Sequence, residues 1–120
     1  MNGLLVSLGG AAGAWLRYMM SIWLQRASKS YPWATWIINM SGSMLLGFVV
    51  GVKEIMPYSL YALLGIGFCG AYTTFSTFSV EALQLLQHQK WLRAVVYMLT
   101  SSLFCLMCAA IGLFIADCIQ

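Results

Sequence analysis

Charged residues are scarce in this sequence of 120 amino acids. Only 8% of its residues are charged, namely six Lys or Arg and three Asp or Glu, whereas 62% are hydrophobic. Soluble domains carry about 25% charged residues, and so few charged side chains cannot cover a globule of this size in water. The composition therefore argues against a soluble enzyme, a nucleic-acid-binding protein and a disordered chain, and it indicates an integral membrane protein.

The sequence also lacks the residue sets that catalytic and metal sites use. It contains one histidine, His88, and no Ser-His-Asp set, carboxylate pair or zinc-ligand spacing, so we expect no enzyme activity. Among its four cysteines, Cys105 and Cys108 are three residues apart. Inside an apolar helix a free cysteine behaves as a small hydrophobic residue, and we assign neither a disulfide nor a metal to this pair.

Four apolar stretches are long enough to span a bilayer, which takes about 20 helical residues. They belong to one domain, residues 1–120, and cover about residues 4–24, 33–52, 58–86 and 91–116. Tryptophan and tyrosine residues lie near the ends of these stretches, as interfacial aromatic residues do. We therefore predict an all-α integral membrane protein with four transmembrane helices per chain.

The basic residues at the borders of the spans are distributed unevenly. The loops after the first and third spans carry Arg26, Lys29, Lys90 and Arg93, whereas the opposite border carries Lys53 alone. Because cytoplasmic loops carry the excess of Lys and Arg, this count predicts that both termini lie outside the cell.

Polar side chains inside the spans are energetically costly, so each of them is a functional candidate. Two spans carry such side chains at four-residue spacing, which places each row on one face of its helix. The rows are Thr35, Asn39 and Ser43 in the second span, and Tyr97, Ser101 and Cys105 in the fourth. In the first span, Arg17 adds positive charge near one mouth of the conduit that these rows would line.

The third span has the most unusual composition. Residues 65–79 combine three glycines with five Ser or Thr residues, and the stretch is longer than one span needs. We predict a helix that is interrupted near residues 70–74, where freed backbone carbonyls would form a cation site. Phe75 and Phe78 follow the interruption, and the electropositive edges of their rings would favour an anion.

Each of these residues also has a purely structural interpretation. Ser and Thr hydroxyls in membrane helices often bond to their own backbone. Asn39 could join two helices, Phe75 and Phe78 could face lipid or the core, and Arg17 could extend to the lipid headgroups. Glu81 could cap or pair near the border of the membrane.

Three segments of the sequence resemble motifs of the Fluc (CrcB) family of small fluoride channels. The first-span segment is G-G-A-A-G-A-W-L-R-Y at residues 9–18, and the second-span segment is T-W-I-I-N-M-S-G at residues 35–42. The third-span segment, G-F-C-G-A-Y-T-T-F-S-T-F-S at residues 67–79, is the most specific of the three. The resemblance extends over the whole chain in length, span number and motif order.

The resemblance implies a multi-pass protein of the bacterial plasma membrane that exports fluoride passively and confers fluoride resistance. In this family two subunits pack antiparallel and form two pores. Phe75 and Phe78 would contact fluoride with their ring edges, and Asn39 would donate a hydrogen bond to it. Further pore residues implied by the resemblance are Ser76, Thr77, Tyr97 and Ser101, with Thr35 as an additional candidate.

The resemblance also implies a sodium ion at the dimer centre, held by the backbone carbonyls of Gly70 and Thr73. An antiparallel homodimer needs nearly balanced border charges, and the four-to-one bias favours pairing with a paralogous subunit instead. Cys105 stands where the family often has a hydroxyl residue. Two other functions stay open: a small proton-coupled multidrug transporter of four helices, and a membrane subunit without transport activity.

Overall fold

The computed structural model describes residues 1–26 and 31–120, so Lys29 of the border count lies outside the described residues. Over this part of the chain every regular element is a helix, which confirms the all-α prediction there. The elements are α1 (Asn2–Gln25), α2 (Trp33–Gly51), α3 (Tyr58–Tyr61), a π-helix (Ala62–Cys69), α4 (Gly70–Tyr72), α5 (Ser76–Gln87) and α6 (Trp91–Asp117).

Among the described residues, three helical segments are long and apolar enough to cross a membrane, by length and composition: Trp33–Gly51, Tyr58–Gln87 and Trp91–Asp117. Helix α1 has 24 residues, which is a sufficient length, but its glycines and the guanidinium group of Arg17 make it less apolar than the other three. The protein is a multi-pass helical membrane protein, in which the first predicted span is the least apolar segment.

The third segment changes helical geometry along its length. Its π-helix leads into the short helix α4, which ends at Tyr72. Thr73 then takes an extended conformation, with φ −75° and ψ 154°. Both its N–H and its hydroxyl donate to the carbonyl of Cys69, at 3.0 and 2.9 Å. Helix α5 begins three residues later at Ser76, so Thr73, Thr74 and Phe75 lie between two helices.

Glycines bring two pairs of helices into backbone contact. A Cβ atom at Gly9 would collide with the carbonyl of Leu63, and one at Gly13 with the carbonyl of Phe68. Helix α1 therefore packs directly against the backbone of the π-helix. Helices α2 and α6 pack in the same manner at Gly47, where a Cβ atom would collide with the carbonyl of Ala109. Small residues allow this approach because nothing but hydrogen stands between the backbones.

Contacts at the two ends of the molecule show which helix ends are neighbours. At one end, the side-chain amide of Gln120 donates to the carbonyl of Gly51 at 2.7 Å, so the C-terminus adjoins the end of α2. At the other end, Tyr31 and Lys90 line one cavity, so the start of α2 adjoins the start of α6. The parallel course of α2 and α6 places their polar rows side by side.

Candidate functional site

A cleft of about 290 Å³ opens between α2, α6 and the segment that joins α4 to α5. All three elements contribute polar side chains to it, and two phenylalanines form part of its wall. The lining residues are Asn39, Ser43, Leu46, Thr73, Thr74, Phe75, Phe78, Ser101, Ser102 and Cys105. The polar rows of the second and fourth spans therefore meet at one site, next to the unusual stretch of the third.

Asn39 connects α2 to the extended segment. Its side-chain amide donates to the carbonyl of Thr74, and the N–H of Thr74 donates to its side-chain carbonyl, both at 2.8 Å. These two bonds satisfy backbone groups that the interrupted helix cannot pair with its own next turn. The interpretation of Asn39 as a residue that joins two elements thus describes this contact, and the same side chain also lines the cleft.

The hydroxyl of Thr74 organises the start of α5. It accepts a hydrogen bond from the N–H of Thr77 at 3.2 Å, and so satisfies one free donor of the first helical turn. It also lies within hydrogen-bond distance of the hydroxyls of Ser76, at 3.3 Å, and Thr77, at 3.2 Å. Ser76 and Thr77 therefore cluster around the start of the helix, beside the wall of the cleft rather than in it.

Phe75 and Phe78 both line the cleft. Their ring centroids are 5.8 Å apart, with 40° between the ring planes. Phe78 is partly buried and packs against Tyr97 at a centroid distance of 5.2 Å. Phe75, in contrast, is 79% exposed. Phe75 therefore lies at the surface of the chain, whereas Phe78 packs against its interior.

Glu81 accepts hydrogen bonds from two residues that the family resemblance implies for the pore, Tyr97 and the additional candidate Thr35. Thr35 donates to one carboxylate oxygen and Tyr97 to the other, each at 2.9 Å. Both donors are buried, with 4% of Thr35 and 0% of Tyr97 exposed. The sequence analysis missed this arrangement. The available signal was that Glu81 is the only acidic residue between Tyr58 and Gln87, the third span.

Helix α6 presents a wider polar surface than its four-residue row predicts. Ser101 and Cys105 line the cleft as the row suggests, and Ser102 lies beside them. Ser43 of α2 belongs to the same wall. Ser102 was missed because it lies outside the row on a helical wheel, and only the placement of α6 against the cleft brings it in.

The remaining predicted site residues lie around the cleft or away from it. Thr73 lines it, in its extended conformation. Gly70 is exposed, and an added Cβ atom would find no heavy atom within 4 Å. Arg17 is partly buried on α1, which contributes no residue to the cleft lining. In the described part of the chain no three His, Cys, Asp or Glu side chains form a metal-binding group.

Apolar membrane-spanning helices around a polar cleft define a multi-pass membrane protein with the architecture of a small channel or transporter. Residues 4–113 match the family described as "CrcB-like protein, Camphor Resistance (CrcB)". The chain belongs to this CrcB family.

Similar proteins carry a more specific name. The chain is 44% identical over 114 residues to the "Fluoride-specific ion channel FluC" of Shewanella frigidimarina (strain NCIMB 400), with 92% of each chain covered. Proteins of the same name from Shewanella baltica (strain OS185) and Shewanella sp. (strain W3-18-1) are 43% and 41% identical over the same share of both chains. The resemblance drawn from the three sequence motifs is thereby confirmed.

Proposed function

We propose that this protein is a fluoride-selective channel that exports fluoride from the cytoplasm of a bacterium passively and thereby confers resistance to it. The observation that carries the proposal is the cleft, where Phe75 and Phe78 stand beside Asn39 and Ser101. Family membership supports a channel rather than an enzyme, and relatives that share over 40% of the sequence are named fluoride-specific ion channels.

The lining of the cleft suits a small, strongly hydrated anion. A dry path must replace the water around fluoride with hydrogen-bond donors, and the Asn39 amide and the Ser101 hydroxyl are such donors. Ring edges of Phe75 and Phe78 add weak electropositive contacts. Among the residues that the structure describes, no lysine or arginine lines this cleft. Several weak sites would then act in place of one strong site, which lets the ion leave after it binds.

The direction of transport follows from the chemistry of hydrogen fluoride and from the membrane potential. Neutral HF crosses lipid and dissociates in a less acidic cytoplasm, where the anion is trapped. An inside-negative potential then drives the anion outward, at about 2.3 kcal/mol per charge per 100 mV. A passive channel in the plasma membrane is sufficient for export, since no other energy source is needed.

Whether Thr35 and Tyr97 belong to the path depends on Glu81. Thr35 and Tyr97 already donate to its carboxylate. Asn39, Ser101 and the two phenylalanines therefore carry the proposed path, with Ser76 and Thr77 at its edge. Thr35 and Tyr97 join it in a state in which Glu81 releases their hydroxyls to the ion.

We further propose that two subunits pack antiparallel. Exposure of Phe75 leaves the cleft open on one side, and a second subunit would close it. Exposed leucines on α6, including Leu99, Leu103 and Leu106, provide an apolar surface for lipid or for that subunit. The partner is a second copy of the chain or a paralogue, and the bias of the border charges favours the paralogue.

A structural sodium ion would fit between the two subunits. Thr73 leaves helical geometry, which frees its carbonyl for a cation, and Gly70 is exposed on the preceding helix α4. One chain offers only two of these oxygens, and the same pair from a second subunit would complete the site. The carbonyls would hold the ion and fix the spacing of the two subunits.

The test is a flux assay with purified protein in liposomes, together with its partner subunit where one co-purifies. Fluoride efflux under a potassium-diffusion potential is compared with chloride efflux, in sodium and in a sodium-free medium. We expect fluoride flux without chloride flux, and a loss of flux after sodium is removed. Absence of fluoride flux, or equal chloride flux, would refute the channel, whereas unchanged flux without sodium would refute only the sodium site.

The same preparation tests the two other functions. A multidrug transporter would move protons when an organic cation is added, and it would need a carboxylate free to bind them. A subunit without transport activity would fail to restore the growth of a fluoride-sensitive bacterium on fluoride.

A further inference from the structure

The C-terminal end of α1 carries a groove that the proposed fluoride path does not use. Its lining residues are Met19, Met20, Ile22, Trp23 and Arg26, and its volume is about 300 Å³; we call it the α1 groove. Met19 and Trp23 are exposed, at 45% and 71%. Residues three and four apart are neighbours on the surface of a helix, so Met19, Trp23 and Arg26 form one row along the groove. The described residues that line the cleft come from other helices, so the two cavities are separate.

The guanidinium group of Arg26 has no carboxylate partner. The chain contains three acidic residues, Glu54, Glu81 and Asp117, and all of them belong to its described part. Glu54 pairs with Lys53, at 3.8 Å. Asp117 ends α6 at the opposite border, and Glu81 accepts the hydroxyls of two other residues. An exposed, unpaired guanidinium group matches a phosphate, which it can bind through two parallel hydrogen bonds.

The groove spans the depth from the lipid headgroups to the acyl chains. Arg26 keeps helical geometry after α1 ends, with φ −66° and ψ −26°. At 1.5 Å per residue, Met19 therefore lies about 10 Å deeper along the axis than Arg26. The headgroup layer on each side of the hydrocarbon is only about 6 Å thick, so Met19 reaches the acyl chains when Arg26 lies among the headgroups. Trp23 lies between them, at the level where amphipathic rings collect.

The same border offers a basic residue and a tryptophan in a different arrangement. Trp91 and Arg93 lie in the first turn of α6, and both are exposed. They are two residues apart, so they point to different sides of the helix, and neither lines the α1 groove. The α1 groove instead combines a cation with a row of apolar side chains. Its two methionines are flexible and adapt to an irregular apolar partner such as an acyl chain.

We propose that the α1 groove binds one anionic glycerophospholipid per chain. Arg26 holds the phosphate, Trp23 packs at the glycerol level, and one acyl chain lies against Met19 and Met20. This inference does not depend on fluoride conduction. Each basic side chain near a membrane surface favours anionic lipid by about fivefold. A zwitterionic lipid presents the same phosphate, but its own ammonium group cancels the charge, so the groove discriminates between lipids by charge.

The experiment counts bound lipids by native mass spectrometry of the purified protein. The detergent solution contains equimolar palmitoyl-oleoyl phosphatidylglycerol, which is anionic, and palmitoyl-oleoyl phosphatidylcholine, which is zwitterionic. The variants are Arg26→Gln and Arg93→Gln, which remove the same charge from two places at one border. A further sample contains excess glycerol 3-phosphate, which offers a phosphate without acyl chains. The measured mass reports the number of subunits as well as the number of lipids.

We expect the unsubstituted protein to retain phosphatidylglycerol over phosphatidylcholine by about fivefold, and Arg26→Gln to lose this preference. Arg93→Gln should bind like the unsubstituted protein, and glycerol 3-phosphate should not displace the lipid. Equal retention of both lipids by the unsubstituted protein would overturn the inference, as would an equal loss in Arg93→Gln. Displacement by glycerol 3-phosphate would show a site for free phosphate. A change in subunit number in Arg26→Gln, with unchanged lipid binding, would make the groove a contact between subunits and would also overturn the inference.

Discussion

Helices meet in two different ways in this protein. At the glycine contacts, α1 packs against the π-helix at Gly9 and Gly13, and a methyl group on either glycine would collide with a backbone carbonyl. At the cleft, α2, α5 and α6 leave about 290 Å³ between them, lined by an amide and several hydroxyls. Both regions use small residues, but glycine removes the space between helices whereas serine and threonine line it.

This difference separates stability from function. Without a hydrophobic driving force in lipid, close backbone packing holds membrane helices together, so the glycine contacts carry stability. The polar groups of the cleft cost free energy in a membrane, and under the proposed function they are retained for the ion. Substitutions at the glycine contacts should therefore reduce stability, and substitutions at the cleft should reduce fluoride flux. Asn39 belongs to both regions, because it lines the cleft and bonds to the backbone of Thr74.

The largest effect is expected for Asn39→Leu. This change removes both hydrogen bonds to Thr74 and leaves a backbone N–H and a carbonyl without a partner, at about 1–3 kcal/mol for each buried group. Thermal unfolding in detergent should occur at a clearly lower temperature, and fluoride flux should be lost. Ser43→Ala, one turn further along α2, is the control and should unfold like the original protein. Normal stability of Asn39→Leu would contradict the assigned role of the Asn39–Thr74 bonds.

The next effect is expected for Phe75→Ile, and it should appear in flux alone. Because Phe75 is 79% exposed, its replacement should change the unfolding free energy of the chain by less than about 0.5 kcal/mol. Loss of the ring edge should lower fluoride flux at least about tenfold, which corresponds to about 1.4 kcal/mol. Phe114→Ile, at an exposed phenylalanine outside the cleft, should retain flux. Full flux in both Phe75→Ile and Phe78→Ile would remove the proposed ring-edge contact.

An effect of comparable size, but on stability alone, is expected for Gly9→Ala. The added methyl group would press on the carbonyl of Leu63, which belongs to a helix and cannot rotate away, and we expect a loss of about 1–3 kcal/mol. The neighbouring glycine is the matched control. A methyl group at Gly10 would lie 3.8 Å from its nearest neighbour, an ordinary contact. Chemical denaturation of both variants tests this pair, and equal stabilities would refute the packing argument.

The smallest effect is expected for Cys105→Ser. A thiol is a weak hydrogen-bond donor, and a hydroxyl in the same position donates more strongly. Because Cys105 lines the cleft, fluoride flux should rise by no more than about threefold, with unchanged stability. Cys118→Ser, an exposed position near the C-terminus, should leave flux as it was. A fall in flux for Cys105→Ser would contradict the argument that a stronger donor at this position favours fluoride.

The sequence predicted several components of the candidate site but not their connections. Four-residue spacing correctly placed Asn39 with Ser43, and Ser101 with Cys105, because residues four apart share a helical face. It could not reveal that Glu81 lies against Thr35 and Tyr97, since those contacts join positions 46 and 16 residues apart along the chain. Ser102 and Thr74 were missed for a similar reason, because the arrangement of α6 and of the extended segment decides which groups face the cleft.

The sequence by itself determined the class of protein. Scarce charge and long apolar stretches allow few structures other than helices in a membrane, because an unpaired backbone is too costly in lipid. The motifs at residues 9–18, 35–42 and 67–79 identified the family. Only the tertiary structure decided which polar groups remain available in the cleft and which are occupied. Thr35 and Tyr97 carry hydroxyl donors, as the other polar residues of the spans do, but both donate to a carboxylate from another helix. Hydrogen bonding between distant residues depends on helix packing, which spacing along one helix cannot encode.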